Sequence, residues 1–142
     1  MIKICFVCSG NTCRSVMAER LLKKLLKDRK ISDVKVCSKG LYAAGENIAE
    51  NAKVVLKQHK ALAKNRKSIK LKKPDKETVY VVMTEKMKEQ IVSKKVITMK
   101  SLGGKDIIDP YGQDVDVYKQ TAEEIIIALE NLINIIKKWR EV

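Results

Sequence analysis

A thiol and a guanidinium six residues apart near the start of the chain could act together on one phosphoryl group. The stretch reads Cys8-Ser9-Gly10-Asn11-Thr12-Cys13-Arg14-Ser15. A cysteine thiolate is a strong nucleophile, and the planar fork of an arginine can hold two phosphate oxygens at once. Gly10 and Asn11 tolerate left-handed backbone conformations, so the loop can curve and point its N–H groups at an anion. We call residues 8–15 the anion loop, and we predict Cys8 as nucleophile and Arg14 as phosphate clamp.

A phosphoryl transfer also needs a proton donor for the leaving group. Asp109 is the candidate, because it follows the fourth predicted strand and so reaches the same edge of a parallel sheet as Cys8. Pro110 restricts Asp109 to an extended backbone, which helps to fix the direction of its carboxyl group. The alternative is that Asp109-Pro110 is only a turn. The presence of the anion loop in the same chain favours the catalytic interpretation over this alternative.

The elements that must position these residues alternate between strands and helices. Short apolar, β-prone runs predict strands at 2–7, 34–38, 78–83 and 96–99. Apolar spacings of three and four predict helices at 16–30, 48–63, 85–93 and 117–139. We expect Ser15 and Thr84 to cap the helices that follow them, and 64–76 and 100–116 to be irregular. We also expect the Ser15 hydroxyl to donate to the Cys8 thiolate.

This alternation predicts an α/β fold, a doubly wound, four-stranded parallel sheet with helices on both faces. The anion loop then follows the first strand, at the edge of the sheet where such folds bind ligands. The length of 142 residues fits a single domain spanning residues 1–142.

The composition narrows the classes of partner. Thirty Lys and Arg against 17 Asp and Glu give a net charge of +13, which invites a nucleic-acid hypothesis. However, no aromatic residue interleaves with the densest basic run, 64–73, as a base-stacking surface would require. We therefore expect a solvated Lys-rich surface and no nucleic-acid partner. No apolar run approaches the ~20 residues that span a bilayer, and no signal peptide precedes the first strand, so a cytoplasmic protein without a membrane partner is expected.

The four cysteines are Cys5, Cys8, Cys13 and Cys37. Cys5 and Cys8 have C-x-x-C spacing, but in a strand they point to opposite faces, and His59 with Cys37 supplies no clear second ligand pair. We therefore predict no metal site and a buried, apolar Cys5.

The chain resembles the low-molecular-weight protein tyrosine phosphatase family over essentially its whole length. The resemblance is carried by Val7 to Ser15, Met17-Ala18-Glu19, Met83-Thr84 and Asp109-Pro110-Tyr111-Gly112. It implies that Cys8 is the nucleophile, that Arg14 binds the phosphoryl group, and that Asp109 is the general acid and then the base. It also implies a phosphocysteine intermediate hydrolysed by water, with no metal or organic cofactor. The expected substrates are phosphorylated proteins and the expected state is a monomer.

Within this family, Thr12 bears on the substrate. Phosphotyrosine enzymes usually carry an aliphatic residue there, whereas Thr12 and the segment 116–121 look like the bacterial protein arginine phosphatases. A hydroxyl beside phosphorus suits a cationic guanidinium better than an aliphatic wall does. We therefore predict that the substrate is phosphoarginine in proteins, with phosphotyrosine as the alternative. A hypothesis of another class is a non-catalytic module that binds phosphate or nucleic acid. Tyr42 and Tyr111 are candidate walls of the pocket.

The chain departs from the pattern of this family at two positions. Val16 stands where the family usually has Pro, and Lys39 puts a charge near the pocket where the family usually has Ala.

Cys13 lies close to Cys8 through the curvature of the loop, so it either forms a reversible, protective disulfide with Cys8 or only packs beneath the loop. No cysteine follows Cys37, so the three-cysteine relay of related arsenate reductases is not available.

Overall fold

The chain folds as a parallel sheet whose strands are joined by helices. The computed structural model describes residues 1–63 and 65–141. The strands are β1 (Ile2–Cys8), β2 (Val34–Gly40), β3 (Val79–Val82) and β4 (Val96–Thr98). The helices are α1 (Arg14–Asp28), α2 (Glu50–Gln58), α3 (Glu85–Lys88), α4 (Met99–Gly103) and α5 (Val115–Arg140). The strands are all parallel, in the order β2-β1-β3-β4, which confirms the predicted fold class.

The central strand β1 places the anion loop. It pairs with β2 on one side and with β3 on the other. Five consecutive residues, 4–8, are buried, so both faces of this strand are covered, as expected for a central parallel strand. Cys5 is 1% exposed, as predicted. The anion loop therefore starts at the buried centre of the C-terminal edge of the sheet.

The last helix, α5, is the longest and packs against α1, α2 and α4. The apolar stripe predicted for it is buried at Ile125, Leu129 and Leu132 and only partly buried at Ile126, because apolar spacings of three and four put most of these side chains on one face. The helix begins at Val115, two residues before the predicted start. Asp114 fixes that start, since its carboxylate accepts the Val117 N–H at 3.1 Å.

A short helix lies where 100–116 was predicted to be irregular. The Thr98 hydroxyl caps α4 by accepting the Ser101 N–H at 3.1 Å, and Gly104 ends it in a left-handed conformation with φ 89°. A Cβ on Gly103 would lie 3.2 Å from the Ala128 Cβ, so α4 and α5 approach closely there. Five residues are too few to show helical periodicity, which is why the sequence does not reveal this helix.

Two predicted helices are shorter than expected. The helix predicted at 48–63 is only α2, because Lys60 takes a left-handed conformation and the Ala61 N–H folds back onto the Leu56 carbonyl at 2.9 Å. Leu62, predicted as apolar and inward, is 60% exposed. The helix predicted at 85–93 stops at Lys88, although the Thr84 cap is confirmed.

The basic stretch that follows α2 runs beside β2, an edge strand of the sheet. The Gly40 N–H donates to the Ile69 carbonyl, and the Leu71 N–H donates to the Gly40 carbonyl, both at 2.8 Å. This attachment brings residues 65–71 next to the anion loop; Lys64, predicted within the same basic run, lies outside the described residues. Among the described helices, none has the length and apolar character needed to cross a bilayer.

Candidate active site

The Cys8 sulfur sits at the end of β1 with two polar groups directed at it. The Ser15 hydroxyl lies 2.9 Å from Sγ, and the Asn11 N–H donates to Sγ at 3.2 Å. Ser15 accepts a hydrogen bond from the Asn11 amide at 2.8 Å, which leaves its own proton free to point at Cys8. Both groups are therefore placed to donate hydrogen bonds to the Cys8 sulfur. The prediction that Ser15 caps α1 is wrong: Cys13 holds the cap position, and no side chain caps that end.

Asn11 holds the curvature of the anion loop. It is fully buried and has a left-handed φ of 56°, which Asn tolerates better than most residues. Its amide donates to Ser15 and to Ser38 Oγ at 3.0 Å. Its side-chain oxygen accepts the Ile69 N–H at 2.9 Å and an Arg66 guanidinium N–H at 3.1 Å. Both donors and the acceptor are thus satisfied, and the loop has one defined shape.

A buried ion pair lies behind Asn11. Glu19 of α1 is 6% exposed and accepts the Ser38 hydroxyl at 2.7 Å. Arg66 donates to Ser38 at 2.7 Å and to Glu19 at 3.3 Å. A buried carboxylate needs such partners, so Arg66 both neutralises Glu19 and supports the loop. The sequence does not predict Arg66, because it lies within a basic run that looks like a solvated surface.

The end of β2 supports the loop from one side through a close backbone approach. A Cβ on Gly40 would lie 2.8 Å from the Ser9 carbonyl oxygen and 2.9 Å from the Asn11 nitrogen, so only glycine fits. The Leu41 N–H donates to the Cys8 carbonyl at 2.9 Å, and the Tyr42 N–H donates to the Ser9 carbonyl at 2.8 Å. The loop is therefore held by backbone contacts as well as by Asn11.

Arg14 and Asp109 meet across the pocket. Arg14 is 4% exposed, donates to the Ile107 carbonyl at 2.9 Å, and places Nη2 3.7 Å from an Asp109 carboxylate oxygen. Its Nε is buried and has no hydrogen-bond partner within the described chain. An unpaired buried donor is costly, and an anion in the loop would satisfy it. Asp109 is half exposed, and its other oxygen accepts the Tyr111 N–H at 3.1 Å.

These side chains surround a cavity of about 300 Å³. Its lining consists of Cys8, Ser9, Gly10, Thr12, Cys13, Arg14, Glu46, Asn47, Asp109 and Tyr111. The structure thus brings the three predicted catalytic residues together with Thr12 and Tyr111. Asn11 and Ser15 lie behind the lining rather than in it. Tyr42, predicted as a pocket wall, is not among the lining residues, and its hydroxyl donates to Gln90 at 2.7 Å.

Glu46 and Asn47 form the part of the rim that the sequence does not predict. Glu46 accepts the Ser68 hydroxyl at 2.6 Å and the Ala44 N–H at 2.8 Å, and these hydrogen bonds lower the pKa of its carboxyl. The Asn47 side-chain oxygen accepts from Lys67. No motif marks this irregular stretch, so only the fold reveals that it reaches the pocket.

Cys13 occupies the inner side of the loop. Its sulfur lies 3.2 Å from the Tyr118 hydroxyl of α5 and 3.6 Å from the Thr12 hydroxyl. Burial raises the pKa of Cys13, although these two hydrogen bonds oppose the rise. Cys8 and Cys13 are both free thiols. Across residues 1–63 and 65–141, no group of His, Cys, Asp and Glu side chains is arranged to hold a metal ion.

Comparison with known proteins places this geometry in context. The family model described as low molecular weight phosphotyrosine protein phosphatase matches residues 3–142. A protein-arginine-phosphatase of Bacillus subtilis is 36% identical, covering 96% of this chain and 98% of its own. The low molecular weight protein-tyrosine-phosphatase PtpB of Staphylococcus haemolyticus is 31% identical, covering 92% and 97%. The solved structure of the YwlE arginine phosphatase from Geobacillus stearothermophilus superposes with a TM-score of 0.84 at 33% identity, covering 99% and 96%.

Proposed function

Because the chain belongs to the low molecular weight phosphotyrosine protein phosphatase family and is a cysteine-based protein phosphatase, we propose that its substrates are proteins phosphorylated on arginine. The proposal rests on one feature, the polar side of the pocket: the Thr12 hydroxyl lines it together with the Asp109 and Glu46 carboxylates. A guanidinium leaving group is cationic and planar, so the Glu46 carboxylate attracts it, and the Thr12 hydroxyl and the Asp109 carboxyl can form hydrogen bonds with its N–H groups.

In the first step, the Cys8 thiolate attacks phosphorus while the leaving group departs on the opposite side. The S–P bond forms and the P–N bond breaks, and Asp109 delivers its proton to the departing guanidine nitrogen. Arg14 and the inward N–H groups of the anion loop hold the non-bridging oxygens, where charge accumulates in the transition state. The buried, unpaired Nε of Arg14 supports this role.

In the second step, water hydrolyses the phosphocysteine. Asp109, now a carboxylate, takes a proton from the water, whose oxygen attacks phosphorus as the S–P bond breaks. The products are inorganic phosphate and the Cys8 thiolate, which Ser15 and the Asn11 N–H stabilise as a leaving group. Thr12 lines the pocket, and in this proposal its hydroxyl helps to orient the water.

Phosphotyrosine is the second candidate. It is favoured by Tyr111, an aromatic side chain that lines the mouth of the pocket and is 69% exposed, so it could pack against a phenyl ring. The similarity to a tyrosine phosphatase points in the same direction.

Thr12 separates the two candidates. Thr12→Val removes the hydroxyl and keeps the branched shape, and we expect it to lower kcat/KM for a phosphoarginine peptide about tenfold, the usual scale for a lost polar contact. The kcat/KM for the matched phosphotyrosine peptide should hold or rise. Thr12→Ser, which keeps the hydroxyl, is the control and should retain the wild-type ratio. Equal losses on both peptides would remove Thr12 from the specificity argument.

The redox role of Cys13 also stays a prediction. A disulfide with Cys8 would require Cys13 to leave the Tyr118 hydroxyl, whereas packing beneath the loop keeps that contact. Peroxide treatment followed by thiol mapping decides between them. A reversible Cys8–Cys13 bond supports the protective role, and irreversible oxidation of Cys8 without such a bond contradicts it.

A further inference from the structure

Two thiols that the proposed reaction does not use lie side by side on adjacent strands of the sheet. Cys5 in β1 and Cys37 in β2 are register partners in adjacent parallel strands. Register partners project to the same face, and adjacent strands lie about 4.8 Å apart. This spacing falls within the roughly 4.4–6.8 Å between Cα atoms that a disulfide can bridge. Both residues are free thiols, and neither lines the pocket that contains Cys8.

The two thiols have different surroundings. Cys5 is 1% exposed and its Sγ donates to the Phe6 carbonyl at 3.8 Å; the neighbouring Cys37 thiol together with burial raises the pKa of Cys5. The Cys5 thiol and the positive charge of Lys39 lower the pKa of the partly exposed Cys37, although burial opposes this. A partly exposed thiol in an electropositive setting is the reactive type, and a buried neighbour is suited to resolve its oxidised form.

We propose that Cys5 and Cys37 form a second oxidation site, separate from the catalytic pocket, at which a hydroperoxide oxidises Cys37 and Cys5 closes a disulfide. The Cys37 thiolate first attacks one peroxide oxygen: the S–O bond forms, the O–O bond breaks, and the departing hydroxide or alkoxide takes a proton from solvent and leaves as water or an alcohol, which gives a sulfenic acid at Cys37. The Cys5 sulfur then attacks the Cys37 sulfur. The S–S bond forms, the S–O bond breaks, and the Cys5 proton leaves with the hydroxyl group as water.

The position of this pair links it to the anion loop without placing it there. Cys5 lies three residues before Cys8 on β1, and Cys37 directly precedes Ser38, which accepts the Asn11 amide. The disulfide would therefore cross-link β1, which leads into the anion loop, to β2, which supports it. Oxidant could be consumed here while Cys8 remains in its own cavity.

The test uses the full chain with Cys8→Ser and Cys13→Ser, which leaves Cys5 and Cys37 as the only thiols of the original four. The protein is treated with hydrogen peroxide, quenched with an alkylating reagent and weighed intact. We expect loss of both alkylatable thiols, a mass about 2 Da below that of the reduced chain, and recovery with dithiothreitol. Adding Cys5→Ser should let Cys37 proceed to the sulfinic acid, because no resolving thiol remains.

Two outcomes overturn the proposal: both thiols remaining alkylatable after peroxide, or Cys37 reaching the sulfinic acid in the double variant despite the presence of Cys5. In the wild-type chain, fragmentation of the tryptic peptide joined to Cys37 checks that the partner is Cys5 and not Cys8 or Cys13.

A kinetic control tests the role assigned to Lys39. We expect Lys39→Met to slow alkylation of Cys37 at neutral pH about twofold to fivefold, because the thiolate loses a neighbouring cation. Lys35→Met, which removes a more exposed cation from the same face of β2, should leave the rate unchanged. Equal rates in the wild type and Lys39→Met would contradict this assignment.

Discussion

The floor of the pocket and its rim are built in opposite ways. The floor consists of Cys8 and Arg14, with Asn11 and Ser15 directly behind them. These four residues are at most 4% exposed and are held by hydrogen bonds to one another, to Ser38 of β2 or to the Ile107 carbonyl. On the rim, Asp109 and Glu46 stand on irregular segments and meet solvent. The floor has a shape suited to one group, a phosphoryl, whereas the rim meets whatever the phosphoryl is attached to. The floor is therefore suited to hold the phosphoryl group, whereas the choice of substrate depends on the rim.

The largest effect is expected at Asp109, the rim residue that we propose as general acid. We expect Asp109→Asn to lower kcat about 10²- to 10³-fold for substrates with poor leaving groups, the usual range for a lost general acid. The loss should shrink for an aryl phosphate with an acidic phenol, which departs with little help from a proton. Rates measured over a series of aryl phosphates test this. A loss independent of the phenol pKa would mean that Asp109 acts only through Arg14, 3.7 Å away.

Asn11→Ala tests the floor. It leaves the Arg66 guanidinium and the hydroxyls of Ser15 and Ser38 short of partners in a buried place, and we expect a loss of about 2–4 kcal/mol in the free energy of unfolding. Urea titration measures this loss. Because Asn11 shapes the anion loop from behind the pocket lining and does not line the cavity, kcat/KM should fall by the same factor for phosphoarginine and phosphotyrosine peptides. Unequal factors would contradict the separation of floor from rim.

The smallest expected effect is at Glu46, which can touch only the leaving group. We expect Glu46→Gln to lower kcat/KM for a phosphoarginine peptide about threefold, the scale of one exposed charge pair, and to leave an aryl phosphate unaffected. Hydrogen bonds lower the pKa of Glu46 below its ordinary value, so the carboxylate stays ionised above about pH 5. The ratio of wild type to variant should therefore stay constant from about pH 5.5 to 8. Glu50→Gln, on the exposed start of α2, is the matched control.

The residues that belong to motifs could be predicted from the sequence, and the rest of the rim could not. Cys8 and Arg14 of the floor and Asp109 of the rim belong to motifs that follow strands, so residue types and element order bring them to one edge of the sheet. Glu46 lies in a stretch without periodicity, and its place depends on Ser68, more than twenty residues away.

The errors in the prediction have the same origin. Ser15 has the residue type of a helix cap but serves Cys8 instead, and Tyr42 has the type of a pocket wall but bonds to Gln90. Arg66 looked like one more solvated cation until the fold placed it against the buried Glu19. Local pattern shows what a residue can do, whereas tertiary contacts decide which of those things it does.

The most direct test of the account is the ratio of kcat/KM for two peptides that differ only in carrying phosphoarginine or phosphotyrosine, measured on the wild-type protein with phosphate release as the readout. The polar pocket formed by Thr12, Glu46 and Asp109 predicts a ratio of at least about ten in favour of phosphoarginine. A ratio below one would contradict the proposed substrate and leave a phosphatase whose rim reads the aromatic ring of phosphotyrosine through Tyr111.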